Sequence, residues 1–227
     1  IGGKAKYFVE ISSPDDIPEL LEFLKHEQPK QLFICGLGSN LVFKDEDFDG
    51  AVIAIAETHE KKPLAISEDG LLTVFAGDTL DTAIQFALDN KLTGLEWAGG
   101  LPGTVGAGVR GNVGAFGGEI KDVIQSVEVI SLREPENGFQ KLTKEALRFA
   151  YRHSLIKENP DLLVLSATFQ LKHATNDALH EAQEIYQKNR AYRSANHPLD
   201  YPNCGSVFKN IKAPDQVERI LSVWPEI

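Results

Sequence analysis

The chain is 227 residues long, 42% hydrophobic and 25% charged, which suits a globular protein with one large domain or two modest ones. Its formal net charge of −10 argues against general nucleic-acid binding, yet backbone amides and a few local cations can still hold a small anionic ligand. No apolar run approaches the ~20 residues of a membrane-spanning helix, and Cys35 and Cys204 are too far apart in sequence to indicate a metal knuckle or a disulfide framework.

The first residues, Ile1-Gly2-Gly3, carry no initiator Met and no signal-peptide pattern, so a trimmed start and a reducing cytoplasm are expected. Ser13-Pro14-Asp15-Asp16 has the signature of a helix start, and Ile17, Leu20, Leu21 and Leu24 share one helical face, predicting a helix near 14–27. Gln31 to Cys35 reads as a short buried strand ending at Gly36, followed by a strand or turn over Val42 to Asp45. Further strands are expected at Ala51–Ala56 and Leu71–Ala76. The spacing of Leu80, Ile84, Ala87 and Leu88 predicts a helix over 79–90, with Asp78 as its cap. Strands are expected again at 123–131 and 162–171, then a polar helix at 176–192 and a short strand at Ser206–Phe208. Strands and helices mix without regular βαβ repetition, so the predicted class is α+β.

Two glycine-rich segments stand out. The first is Gly36-Leu37-Gly38-Ser39-Asn40; the second runs from Gly99 to Gly118. Glycine lets a ligand approach the backbone and lets successive amides converge on phosphate oxygens. Leu41 stands where a dinucleotide fingerprint needs its third glycine, and no Gly-Lys-Ser/Thr phosphate loop is present. Taken alone, Gly36–Asn40 is equally consistent with a tight turn, whereas 99–118 is too rich in glycine for a helix or an ordinary strand.

Five motifs in order carry a family resemblance: Gly36–Asn40; Gly94-Leu95-Glu96 through Leu101-Pro102-Gly103-Thr104-Val105-Gly106; Asn112-x-Gly114-Ala115-Phe116-Gly117; Tyr151-Arg152-x-Ser154; and Gly205-Ser206-Val207-Phe208-Lys209-Asn210. Together they resemble the UDP-N-acetylenolpyruvoylglucosamine reductase family. The resemblance implies a two-part FAD-binding domain of the vanillyl-alcohol-oxidase type over 1–175, with subdomains of about 1–60 and 61–175. The beginning of a substrate-binding domain would follow over 176–227.

By that resemblance, Gly36, Leu37, Gly38, Ser39, Asn40 and Leu41 hold the FAD pyrophosphate. Leu101, Pro102, Gly103, Thr104, Val105 and Gly106, with Asn112, Gly114, Ala115 and Gly117, line the rest of the cofactor. Leu37 stands where the family usually has glycine, so an ordinary backbone conformation is expected there, with the side chain turned away. The implied reaction is that of an oxidoreductase in peptidoglycan precursor synthesis: NADPH reduces FAD, and hydride then passes to the enolpyruvyl group of a UDP-sugar. Arg152 is the candidate for stabilising the enolate and Ser206 the candidate proton donor; Tyr151, Lys209 and Asn210 are candidate substrate contacts.

Read without the family, Arg152 fits a surface ion pair, Ser206 a turn hydroxyl and Tyr151 a structural ring. His153 is read as a packing or surface residue, and His59, His173, His180 and His197 lack metal spacing. Lys61-Lys62 and Asp45-Glu46-Asp47 read as solvated loops. The family's C-terminal glutamate is not matched by the context of Glu226, so most of the substrate domain is expected to lie outside these residues. The short interval from Arg152 to Ser206 favours the shorter subclass. A related flavin oxidase and a non-catalytic FAD or nucleotide-sugar module are the rival functions.

Overall fold

Alternation sets the first strand. In Ala5–Ile11 (β1) every second side chain turns inward, ending at buried Ile11; no sequence expectation covered it. The computed structural model describes residues 2–56, 64–211 and 214–224; Ile1, His59, Lys61, Lys62 and Glu226 lie outside them. After β1, Ser13 accepts the amide of Asp15 at 3.0 Å and opens a 3-10 turn, Pro14–Asp16, that leads into Ile17–Glu27 (α1). The helix buries Ile17 and Leu20 and ends on left-handed Gln28. Leu32–Cys35 (β2) and Phe48–Ile55 (β3) complete a parallel sheet of order β1-β3-β2. β3 lies between the other two strands and is buried from Gly50 to Ile55, as a strand covered on both faces requires. The stretch from Val42 to Asp45 is irregular, forming no strand.

The second sheet is antiparallel. Its first strands are Ala65–Ile66 (β4) and Leu71–Phe75 (β5), after which come Leu80–Asp89 (α2), Leu92–Thr93 (β6), Val105–Gly111 (α3) and a small hairpin of Gly114–Ala115 (β7) with Gly118–Glu119 (β8). Ile120–Val123 (α4) leads into Ile124–Ser131 (β9), Gln140–Thr143 (β10), Leu155–Glu158 (α5) and Leu162–Gln170 (β11). The order is β10-β9-β11-β5-β4, with Val164 opposite Val129 and Ala167 opposite Val74. Leu72, Val127, Val129, Leu163 and Phe169 from this sheet join Leu80, Ile84, Val105 and Val109 of the helices in one core. Lys172–His173 (β12) pairs with β6, and Asn176–Asn196 (α6) and Pro214–Val223 (α7) follow. One parallel and one antiparallel sheet make an α+β fold. None of the described helices is long and apolar enough to cross a membrane.

Four local expectations are corrected. Thr79, rather than Asp78, caps α2 by accepting the amide of Thr82 at 3.0 Å; Asp78 is buried and accepts the amide of Phe75 at 3.2 Å. The glycine-rich segment does contain a helix, α3, because Thr104 caps it and buried Val105 and Val109 reward it with packing. Ser206–Phe208 is an irregular loop with Val207 and Phe208 exposed, since among the described residues no strand lies alongside to pair with it. The polar helix runs on to Asn196, four residues past its expected end.

Candidate active site

Where β2 ends, the chain turns through Gly36–Leu41. A Cβ on Gly36 would lie 2.4 Å from Thr104 Oγ1, so the loop is pressed against the start of α3. Gly38 has φ 73° and faces open space, whereas Leu37 has no positive φ and points outward, 53% exposed. Among the described residues no protein acceptor takes the amides of Leu37, Gly38, Ser39 or Asn40; the Leu41 amide closes a turn onto the Gly38 carbonyl at 3.1 Å. A row of open amides beside a positive-φ glycine is a backbone cradle for anionic oxygens.

The second glycine segment faces the first. Gly103, with φ 119°, lies opposite Ser39, whose Oγ would be 3.3 Å from an added Cβ. The neighbouring amides are spent on the fold: Leu101 donates to Ala98 at 2.9 Å, Val105 to Asp78 at 2.8 Å and Gly106 to Ala76 at 2.9 Å. Thr104 Oγ1 accepts the Ala107 amide at 3.3 Å, and Pro102 has no amide to offer. Gly114 and Ala115 lie in the hairpin, with Gly117 turning toward open space and Phe116 left-handed and half-exposed beside it. Other glycines serve protein packing: a Cβ on Gly99 would meet the Tyr186 carbonyl at 2.7 Å, and one on Gly118 the Trp97 ring at 2.4 Å.

Arg152 adopts φ 57°, and its guanidinium reaches back to the hairpin, donating to the carbonyls of Gly114 at 3.2 Å and Asn112 at 3.5 Å. It also lies 5.3 Å from the Tyr151 ring centroid. The Tyr151 hydroxyl accepts the amide of Asn210 at 3.2 Å, while Gly205 passes close to Asn40, whose Oδ1 would be 3.8 Å from an added Cβ. The segment 205–210 therefore crosses from the first glycine loop to Tyr151, carrying exposed Ser206 and Lys209.

Asn112 differs in character from the other candidates. It is fully buried and left-handed; its side-chain amide donates to Glu119 and Ala150, each at 3.0 Å, and its carbonyl accepts the Lys121 amide at 3.0 Å. That side chain is committed to holding the end of α3.

A cleft opens behind the loops, lined by Ile34, Cys35, Gly36, Thr104, Arg110 and Val164 among others. Burial pushes the Cys35 thiol up, away from thiolate chemistry. Arg110, inside the second glycine-rich segment, and Lys157 are not among the site residues the sequence suggests. Lys157 donates to the Arg152 carbonyl at 3.0 Å, and partial burial, followed by the charges of Lys209, Arg110 and Arg152, holds its pKa below the usual lysine value. No short motif marks these two residues, because only the fold brings positions 110, 152, 157 and 209 together.

A family model described as FAD binding domain matches residues 5–133. UDP-N-acetylenolpyruvoylglucosamine reductase of Caldicellulosiruptor saccharolyticus is 39% identical over 209 residues, covering 92% of this chain and 64% of that protein. The reductase of the same name from Lactobacillus helveticus is 38% identical, covering 92% and 66%; that from Synechococcus sp. WH7803 is 34% identical, covering 97% and 69%. The chain thus spans about two thirds of the length of these relatives. Among solved structures, UDP-N-acetylenolpyruvylglucosamine reductase from Thermus caldophilus superposes with TM-score 0.67 at 27% identity, covering 94% of this chain and 71% of that one. Cholesterol oxidase from Brevibacterium sterolicum, at 12% identity and TM-score 0.52 over 73% of this chain and 34% of its own, shares the fold alone.

Proposed function

This chain belongs to the UDP-N-acetylenolpyruvoylglucosamine reductase family and carries its FAD-binding domain, and from that premise we propose that the whole protein is an NADPH-dependent reductase. Its substrate in this reading is UDP-N-acetylglucosamine enolpyruvate, its product UDP-N-acetylmuramate, and its setting cytoplasmic peptidoglycan precursor synthesis. Support for FAD at this site comes from the open amides of Leu37–Asn40, the unfilled space at Gly38 and Gly117, and nearby guanidinium groups. A flat, diphosphate-bearing cofactor suits that combination of small residues and positive charge. When bound, FAD supplies the relay of hydride from NADPH to the enolpyruvyl double bond.

The chain's own groups then have defined work. Arg152 binds the substrate carboxylate and stabilises the negative charge that builds on it as hydride arrives. Ser206 delivers a proton to the adjacent carbon, which requires that ligand cover a hydroxyl exposed in the chain alone. Lys209 and Asn210 contact the substrate, and Tyr151 holds Asn210 in register through its hydroxyl.

The observation that carries the reading is the docking of Arg152 on the Gly114 carbonyl at 3.2 Å, which fixes a cation on the glycine-rich β7–β8 hairpin. The test is spectral and uses the full-length protein. The purified protein should be yellow, bleach with NADPH and recover its colour when the enolpyruvyl UDP-sugar is added. Bleaching without recovery sinks the reductase assignment.

A further inference from the structure

We propose that Arg110, Lys157 and Lys209, beside Arg152, form a phosphate-recognition cluster at the edge of the cofactor cleft; this rests on the nucleotide-binding reading above. The four cations come from separate parts of the chain, and specific bonds bring their backbones together. Ser154 Oγ donates to the Arg110 carbonyl at 2.7 Å and accepts the Lys157 amide at 3.2 Å, joining the end of α3 to α5. Lys157 Nζ donates to the Arg152 carbonyl at 3.0 Å, the Asn210 amide on Tyr151 brings the Lys209 backbone alongside, and the charges of Lys209, Arg110 and Arg152 all act on Lys157.

What the cluster lacks is an anion. The chain has 33 acidic and 23 basic side chains, yet among the described residues none of the four cations forms an ion pair with a carboxylate. Like charges gathered in an acidic protein cost stability unless a ligand neutralises them. Arg110 also shares the cleft wall with Gly36 and Thr104, next to the open amides, and partial burial lowers its pKa. A partly dehydrated guanidinium and two ammonium groups suit a multiply charged phosphate oxygen set better than a single carboxylate. The phosphate has two possible sources. One is FAD itself; the other is the nucleotide that enters on the substrate side.

Lys157→Gln and Arg110→Gln in the full chain test the proposal, with Lys157→Arg as the charge-retaining control and unfolding curves to confirm folding. Affinities for FAD, riboflavin, UDP and inorganic pyrophosphate are measured by flavin fluorescence and calorimetry. Loss of charge should weaken a phosphate-bearing ligand about tenfold or more, leave riboflavin unchanged and be rescued by arginine. A loss confined to FAD assigns the cluster to the flavin nucleotide, and a loss confined to UDP assigns it to the substrate side. Affinities within about twofold of the parent for FAD, UDP and pyrophosphate alike overturn the cluster. A parent that binds pyrophosphate but not FAD overturns the cofactor reading and leaves the cluster to be judged on the pyrophosphate series. A parent that binds none of them overturns both.

Discussion

The hydroxyl of Ser154 donates to the backbone carbonyl of Arg110 at 2.7 Å, across 44 positions of sequence. The same oxygen accepts the amide of Lys157 at 3.2 Å and so caps α5. Ser154 is fully buried, and its place in the Tyr151-Arg152-x-Ser154 motif is explained by architecture. Ser154→Ala strands the Arg110 carbonyl, while the Lys157 amide keeps its 3.0 Å bond to the Ser154 carbonyl, and the change should cost about 1–3 kcal/mol of stability. Urea unfolding checks this; a variant as stable as the parent would mean that water replaces the bond to the Arg110 carbonyl.

Arg152→Lys keeps the charge and loses the fork. Lysine cannot grip the Gly114 carbonyl and a carboxylate in one plane, so substrate turnover should fall about 10²-fold or more while the flavin spectrum is retained. Stopped-flow recovery of flavin colour with the UDP-sugar measures the step. Unchanged recovery removes Arg152 from the mechanism.

Ser206→Ala should separate the two half-reactions. Bleaching by NADPH keeps its rate, and turnover of the UDP-sugar drops by about 10² or more as the proton donor is lost. Equal turnover rejects Ser206 in favour of another proton source.

Tyr186 ties α6 to α2. Its hydroxyl donates to Asp81 at 2.9 Å and receives bonds from Gln85 at 2.9 Å and Arg190 at 3.2 Å. Burial is the main cause that raises its pKa above the ordinary 10.0. Because the folded value exceeds the unfolded one, the stabilisation is complete below pH 10.0 and is lost as pH rises through the folded value. Tyr186→Phe should therefore cost about 1–3 kcal/mol near neutrality. The gap between parent and variant should narrow in unfolding curves above pH 10.0. A gap that widens there contradicts the assigned cause.

Gly36→Ala and Gly111→Ala should diverge. The first drives a methyl group to 2.4 Å from Thr104 Oγ1, parts the loop from α3 and should cost about 1–3 kcal/mol with a matching loss of FAD affinity. The second meets nothing within 4 Å and should be neutral or slightly stabilising. Thermal melts with and without FAD compare the two.

Most of the frame was legible in the sequence because periodicity reports burial directly. Ile17 and Leu20, Leu80 and Ile84, and strands β2, β3, β5, β9 and β11 fall where apolar spacing puts them, whereas β1, β4 and β10 drew no expectation. Glycine was harder to read, since its spacing is silent about what fills the vacant side-chain position. At Gly38 that position is open space; at Gly99 it is the Tyr186 backbone, and at Gly118 the Trp97 ring. Ser206–Phe208 misled for a related reason: the strand-like run has no partner among the described residues with which to pair, and pairing is a property of the fold. Arg110 and Lys157 could not be found at all, because their significance lies in a convergence the chain order conceals.

The two facing glycine loops hang from different supports. Gly36–Asn40 leaves the parallel sheet, whereas Gly103 and Gly117 flank α3, which packs on β5 and β11 of the antiparallel sheet. A ligand gripped from both sides acts as a clamp, so loading and folding share one free energy. With free FAD at a hundred times its Kd the native state gains ~2.7 kcal/mol. Amide exchange should then slow in both sheets together as the cofactor enters, making the flavin a structural tie as well as a reagent.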